Sequence, residues 1–202
     1  MSKPSGESQS PLKIGCYSGK MRRFLVTLAL AGALTTSLVG CAVDGQSSST
    51  GSTAPYDMND IMFAQMMIPH HEQAVELATI AESNTTNPVI LDLAGRIKSA
   101  QQPEIAQMQR WLDVTGSEMD MSHSMHMPGI VSDDDMAAIR SARDAEFDAL
   151  FLTHMVAHHE GAIAMAQDVY GTTTRDDVTR LAEAIIAAQT AEIAEMTALL
   201  AP

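Results

Sequence analysis

Two ten-residue phrases, "FAQMMIPHHE" at 63–72 and "FLTHMVAHHE" at 151–160, hold the residues of this chain that could do chemistry. In each phrase a methionine stands three residues before two adjacent histidines, so a helix would place one thioether a turn away from two imidazoles. Thioether and imidazole form a soft ligand set that suits Cu(I) or Ag(I), and imidazole also suits Cu(II). The phrases therefore predict a metal site, with ordinary core packing of His and Met as the alternative.

Both phrases belong to an internal repeat with a constant offset of 88 residues and no gap. The matched residues include Phe63 with Phe151, Met67 with Met155, His70 with His158, His71 with His159, Gln101 with Gln189, Glu104 with Glu192, and Met108 with Met196. A duplicated helical hairpin follows from this register. The predicted fold is all-α, a four-helix bundle made of two tandem repeated helical hairpins.

Helical periodicity predicts one domain over residues 57–202. Its long helices are expected from about Asp57 to Ser83, from Asn87-Pro88 to about Leu112, from about Asp144 to Tyr170, and from Thr174 to the C terminus, with a short helix after Ser132. Asn87 is a capping residue followed by proline, and Gly171 is a helix stop. Thr174 and Asp177 form a capping-box-like pair.

Helical rotation of 100° per residue shows which side chains face the core. Both histidines of each pair border the apolar stripe, whereas Glu72 points to solvent. Gln101 and Glu104 also lie on the apolar face of their helix. A buried carboxylate needs a partner, and we expect His70 in the first half and His158 in the second to provide it. Such a pair could instead be purely structural.

The predicted ligands are two methionine–histidine clusters with glutamates that orient the imidazoles or join them. They are Met67, His70, His71 and Glu104 in the first repeat, Met155, His158, His159 and Glu192 in the second, and Met66, Met108, His154 and Met196 as further candidates. No Glu-x-x-His pair occurs, and the inward carboxylates are too few for a carboxylate-bridged di-iron site. Iron stays an alternative to copper.

The segment between the hairpins, "SEMDMSHSMHMPG" at 117–129, is rich in the same ligand types. Its candidate ligands are Met119, Met121, His123, Met125, His126 and Met127. These side chains stand in a polar segment with no core to fill. The segment is predicted to be a flexible loop that captures or transfers a soft metal ion.

The N-terminal region carries a targeting pattern. Residues 21–40 read as a signal peptide, with two arginines, an apolar run and a Leu-Val-Gly-Cys ending that resembles a bacterial lipobox. This resemblance implies cleavage before Cys41 and lipid on its sulfur. Residues 41–56 are predicted to be a flexible tether. Translation is predicted to begin at Met21, which makes residues 1–20 an extension outside the mature protein.

The charge of the mature chain limits its partners. From Cys41 onward there are seven Lys and Arg residues against 24 Asp and Glu residues, a difference of 17 negative charges. Such an acidic body argues against nucleic acid and attracts cations at long range. The predicted partners are a metal ion and, through lipid on Cys41, a membrane. A homo-oligomer and a metal-transfer partner protein stay open.

The motifs "MMIPHHEQAVELA", "AQQPEIAQMQRWL", "MPG" and "FLTHMVAHHEGAIAMA" resemble the DUF305 family of ferritin-like helical bundles, a family defined as a domain of unknown function. The resemblance covers about residues 57–198. It implies a ferritin-like four-helix bundle, an extracytoplasmic setting and, for copper-binding members, Met and His ligation in copper resistance. The second repeat has Leu199 where the first has Trp111, a difference that affects local packing.

Together these features predict an extracytoplasmic lipoprotein that sequesters or transfers copper, or silver, in metal homeostasis and resistance. One alternative is a ferritin-like redox enzyme that uses iron or another metal. Another is a helical interaction module in which His–Glu pairs only hold the core.

Overall fold

The computed structural model describes residues 55–119 and 127–201. Within these ranges the chain forms helices α1 (Met58–Asn84), α2 (Pro88–Thr115), α3 (Asp133–Ser141), α4 (Asp144–Tyr170) and α5 (Asp176–Leu200). The all-α prediction is therefore confirmed. None of the helices in the described ranges is long and apolar enough to cross a membrane. The predicted extension, signal peptide, Cys41, most of the tether, and Met121, His123, Met125 and His126 lie outside the described residues.

The first two helices begin as the sequence predicts. Asp57 caps α1 by accepting hydrogen bonds from the backbone of Asn59 and Asp60, and the Asp60 carboxylate accepts one from the Asp57 backbone in return. Asn87 caps α2 by accepting a hydrogen bond from the Val89 backbone. These side chains satisfy backbone donors that have no partner within the first helical turn.

The start of α5 differs from its prediction. The helix begins at Asp176 with Arg175 at the cap position and no side-chain cap, so the capping box at Thr174 is wrong. Asp177 instead accepts hydrogen bonds from the Arg175 guanidinium and the Tyr56 hydroxyl, at 2.8 and 2.7 Å. Hydrogen bonds to a charged carboxylate are stronger than those between neutral groups, so Asp177 pairs with Arg175 and Tyr56 instead of completing a capping box with Thr174. The contact fixes the segment before α1 to the start of α5.

Two hairpins make the bundle. Helix α1 packs on α2, α4 packs on α5, and α1 also packs on α4 to join the hairpins. Between α2 and α5, the Arg96 guanidinium lies 2.6 Å from the Glu195 carboxylate on the surface. The duplicated-hairpin prediction is confirmed by this arrangement.

The core consists of two apolar clusters separated by polar residues. One cluster contains Leu77, Phe147 and Met155, and the other contains Phe63 and Met67. Each of the four long helices passes from one cluster to the other through a short polar run. We call these runs together the polar layer: His70, His71, Gln101, Glu104, His158, His159, Gln189 and Glu192.

The chain that follows the inter-hairpin loop is fixed to α1. Gln73 pairs with the backbone of Val131 in both directions, accepting at 2.8 Å and donating at 2.9 Å. The buried Asn84 amide lies 3.0–3.1 Å from three backbone carbonyls at the end of α3. The Gln73 contact holds Val131 one helical turn from His70, and the Asn84 contact holds the end of α3 at the C-terminal end of α1.

Candidate metal centre

The two repeats meet at a pair of stacked histidines in the middle of the bundle. The rings of His70 on α1 and His158 on α4 have centroids 3.8 Å apart and are inclined by 36°. Both side chains are buried. His70 and His158 are equivalent residues of the repeat, so the two hairpins contact each other through the same position in each copy.

The second histidine of each pair binds a carboxylate within its own hairpin. His71 Nε2 lies 2.9 Å from Glu104, and His159 Nε2 lies 2.7 Å from Glu192. The predicted partners, His70 and His158, are therefore wrong. Adjacent helical residues point 100° apart, so the first histidine faces the other hairpin and the second faces the partner helix.

Hydrogen bonding determines which ring nitrogen stays available on three of the imidazoles. A carboxylate only accepts, so His71 and His159 donate from Nε2 and leave the buried Nδ1 lone pair unused. His70 Nε2 lies 3.0 Å from the Pro128 carbonyl oxygen, which also only accepts, and its Nδ1 has no partner. Within residues 55–119 and 127–201, neither nitrogen of His158 has a hydrogen-bond partner of good geometry. The layer thus contains several buried nitrogens able to bind a metal ion.

Buried side-chain atoms without a hydrogen-bond partner are numerous enough in the polar layer to affect the stability of the whole domain. In the part of the chain that the structure describes, ten buried side-chain nitrogen and oxygen atoms lack a hydrogen-bond partner, and eight of them belong to the polar layer. They come from His70, His71, Gln101, His158, His159 and Gln189. An unsatisfied buried polar group costs roughly 1–3 kcal/mol, so eight would cost about as much as the 5–15 kcal/mol stability of a whole domain. The layer therefore needs partners beyond its own side chains, and these residues fit a metal ion.

Thioethers lie on both sides of the layer. Met67 and Met108 belong to one apolar cluster, Met155 and Met196 belong to the other, and all four are 0% exposed. Met66 and His154 lie one helical turn from His70 and His158 and are only half-buried. The structure thus brings the four core methionines to the layer and leaves Met66 and His154 partly open to solvent.

The donor types in and beside the polar layer are imidazole, carboxylate and thioether. Over residues 55–119 and 127–201, no group of three or more His, Cys, Asp or Glu side chains is arranged to hold a metal ion. Imidazole nitrogen from the layer and thioether sulfur from the flanking methionines are the ligand types that Cu(I) and Ag(I) prefer. Each half supplies one inward carboxylate, already engaged by an imidazole, which differs from a di-iron ligand set.

Burial keeps the stacked imidazoles neutral. The pKa of His70 falls from 6.5 to about 3, mainly through burial and secondly through the nearby His71, whereas the Pro128 carbonyl opposes the change. Burial also lowers the pKa of His158 well below its usual range, assisted by the neighbouring imidazoles. Neutral imidazole is the form that binds metal, so these side chains need not lose a proton first.

The turn after the loop closes over the layer because two glycines allow it. Gly129 has a φ of +75°, and a Cβ on it would overlap the Ala157 carbonyl. A Cβ on Gly161 of α4 would overlap the Pro128 carbonyl, the group that binds His70. The motifs of the sequence give no role to Gly161, but its repeat partner is Gln73, and this mismatch between the copies is the signal that marks the position.

The described ends of the loop differ from each other. Met119 is 40% exposed, as expected for a loop ligand, but Met127 is only 5% exposed. The expectation that these methionines have no core to fill is therefore wrong for Met127. The turn at Pro128 and Gly129 draws Met127 against the bundle. This side chain lines a cavity together with Pro69 and Gln73 of α1.

Fold and site define an all-α duplicated bundle with a buried layer of histidines flanked by methionines. The chain belongs to the DUF305 family, a domain of unknown function whose family model matches residues 60–200. No curated protein matches the chain.

Solved structures of several relatives share the fold. A DUF305 protein from Streptomyces coelicolor is 30% identical with a TM-score of 0.67, covering 70% of this chain and 91% of that one. A DUF305 fragment from Deinococcus radiodurans is 28% identical with a TM-score of 0.66, covering 73% and 98%. CopM in its Cu(I)-bound form is 30% identical with a TM-score of 0.59, covering 69% and 94%. CopM has also been solved in Cu(II)-bound and Ag-bound forms.

Replacing Gly161 with alanine should destabilise the protein by about 1–3 kcal/mol, because the added methyl group displaces the Pro128 carbonyl from α4. The free energy of unfolding in urea measures this. Gly95→Ala is the matched control, since that helical glycine has nothing within 4 Å, and it should stabilise by about 0.5–1 kcal/mol. Equal effects of the two substitutions would contradict the close contact at Gly161.

Acid should destabilise the metal-free protein below pH 6.5, because the unfolded chain then binds protons that folded His70 and His158 refuse. Stability is constant above that pH and falls as pH decreases, by up to about 1.4 kcal/mol per pH unit for each histidine. Urea unfolding in a chelator at pH 7, 6 and 5 measures the slope. His158→Gln breaks no hydrogen bond and should make the slope shallower. An unchanged slope would show that His158 does not contribute.

Proposed function

We propose that this protein binds Cu(I), and also Ag(I) or Cu(II), in the polar layer and sequesters or transfers the ion as an extracytoplasmic lipoprotein. The observation that carries the proposal is the set of buried imidazole nitrogens without partners, next to buried thioethers. A layer of this kind is costly without an occupant and matches the chemistry of a soft ion.

Each repeat would supply one cluster of ligands. In the first, Met67 contributes sulfur while His70 and His71 contribute Nδ1, and Met155, His158 and His159 are the equivalents in the second. Met108 and Met196 would add sulfur from the partner helices. Glu104 and Glu192 hold the Nε2–H of an imidazole, which fixes the tautomer and directs Nδ1 inward.

The relatives support a copper or silver ion. CopM, which is 30% identical in its Cu(I)-bound form, has been solved with Cu(I), Cu(II) and Ag bound. The match covers 94% of CopM and 69% of this chain. We therefore assign the same class of ion to this chain.

An opening beside the layer supports transfer of the ion from the loop. A cavity of about 380 Å³ is lined by Pro69, Gln73, Met127 and residues 130–133. Pro69 directly precedes His70, and Met127 directly precedes the Pro128 carbonyl that binds His70. Met119 and Met127, with Met121, His123, Met125 and His126 outside the described residues, would pass an ion toward His70 along this side of α1.

The location follows from the N-terminal pattern. A signal peptide at 21–40 and lipid on Cys41 would place the bundle outside the cytoplasm at a bacterial membrane, with residues 41–56 as its tether. The Streptomyces coelicolor relative is named as a candidate secreted protein, which agrees with that setting. An acidic bundle there would attract copper cations from solution.

Metal analysis should find copper in the protein from residue 42 onward, purified without chelator from cells given copper. His70→Gln with His158→Gln should lower Cu(I) affinity by more than about 100-fold, because it removes ligands and not only their supports. Glu104→Gln with Glu192→Gln should lower it by about 10–100-fold, as expected for outer groups that orient a ligand. Titration against a competing Cu(I) chelator measures both.

A matched control is available in both repeats, since Glu72 and Glu160 directly follow the histidine pairs and are exposed. Their double replacement by glutamine should leave copper affinity unchanged. Iron in place of copper, with turnover of oxygen, would favour the redox enzyme instead. Failure of any metal to bind, with a lower melting temperature for the histidine variant, would mean that the layer serves only the fold.

Cys41→Ser should move the protein from the membrane fraction to the soluble extracytoplasmic fraction of bacteria that express the whole chain. The reason is that serine has no sulfur to carry the lipid. Metabolic labelling with a fatty acid should mark the parent and not the variant. Equal membrane association of both proteins would contradict lipid anchoring at Cys41.

A further inference from the structure

A second place in the bundle gathers methionines outside the polar layer. A cavity of about 200 Å³ lies between the N-terminal half of α1 and the C-terminal half of α4. Three thioethers line it, those of Met62, Met66 and Met165. Met62 is 41% exposed, Met66 is half-buried and Met165 is 6% exposed, so the sulfurs range from the surface to the core.

The repeat shows that the fold does not require this cavity. In the other half, Asn59 is replaced by Phe147, Met62 by Leu150, Met66 by His154 and Met165 by Leu77. Phe147 and Leu77 are fully buried there, and Phe147 stacks on Phe151 with ring centroids 5.7 Å apart. One copy of the hairpin therefore closes this corner with ordinary apolar packing, whereas the other keeps an open cavity with three sulfurs.

The lining selects a soft, singly charged ion. Among the described residues, Asp168 is the one charged side chain in the lining, Asn59 and Thr172 add one neutral amide and one hydroxyl, and Phe63 and Val169 supply apolar wall. A hard divalent ion would need several oxygen ligands to replace its water, whereas Cu(I) and Ag(I) accept thioether sulfur alone. One carboxylate in an acidic protein attracts the cation without satisfying a hard ion.

We propose that this cavity is a separate soft-metal site, in which Met62, Met66 and Met165 bind one Cu(I) or Ag(I) ion. The site goes beyond the function proposed for the polar layer, because its ligands are thioethers only and it does not need the histidines. Its position suits uptake. Met62 reaches solvent, and His70 follows Met66 by four residues on the same face of α1.

The test compares stoichiometry in the full-length protein. Cu(I) is titrated anaerobically against bathocuproine disulfonate, and Ag(I) is added as a second probe. The variant Met62→Leu/Met66→Leu/Met165→Leu keeps side-chain volume nearly constant, an exchange that cores tolerate, and circular dichroism checks its helicity. It should lose one metal equivalent relative to the parent. The control Met58→Leu/Met136→Leu removes one exposed and one buried methionine outside the cavity and should lose none.

The histidine variant separates this site from the polar layer. His70→Gln/His158→Gln should keep the cavity equivalent, and X-ray absorption of its bound copper should show sulfur ligands without imidazole. If the triple leucine variant binds as many equivalents as the parent, the cavity site is wrong while the polar layer can still bind. If copper is lost only in the leucine variant, the cavity stands and the polar layer fails. If the parent binds neither ion, both proposals fail.

Discussion

The central constraint on this structure is the cost of burying imidazoles and carboxamides that find too few hydrogen-bond partners. The polar layer cuts the core into two apolar clusters, so each cluster has to be large enough to hold the bundle from its own side. Two glutamates reach the layer from its edge, with 13–18% of each side chain exposed, and take one imidazole each. The Pro128 carbonyl accepts a hydrogen bond from a third imidazole, that of His70. What these groups leave unpaired is a set of imidazole nitrogens and carboxamide atoms, and these unpaired atoms make the layer a candidate binding site.

The two copies of the hairpin share the His–Glu contacts and the core methionines, but they differ at the residues that contact the segment after the loop. The His–Glu contact is repeated at the same sequence separation in both hairpins, and the core methionines occupy equivalent buried positions. Gln73 on α1 binds the segment after the loop, whereas its counterpart Gly161 on α4 lets that segment approach the backbone. The segment after the loop therefore contacts α1 and α4 in different ways. Among the described residues, it forms a hydrogen bond with His70 but not with His158.

The acidic surface attracts cations, whereas burial keeps the ligands of the interior uncharged. This combination suits a protein that carries a metal ion. The acidic surface raises the local concentration of cations over a range of about one Debye length, roughly 8–10 Å at physiological salt. The interior offers neutral ligands, since burial lowers the pKa of His70 and His158. A soft monovalent ion loses less on leaving water for such a site than a hard divalent ion would. Selectivity can then come from ligand softness without a cage of carboxylates.

The sequence by itself determined the helices, the duplication, the buried faces of the histidine pairs and the family resemblance. These depend on local capping, on a period of 3.6 residues and on a fixed offset, all of which can be counted along the chain. It did not determine that His71 rather than His70 binds Glu104, that His70 stacks on His158, or that Met127 is buried. Each of these depends on how a helix is rotated about its axis and on contacts with a segment 33 to 88 residues away. Adjacent residues point 100° apart, so the rotation of the helix about its axis decides which of two adjacent histidines faces the partner helix, and only the packed bundle fixes that angle.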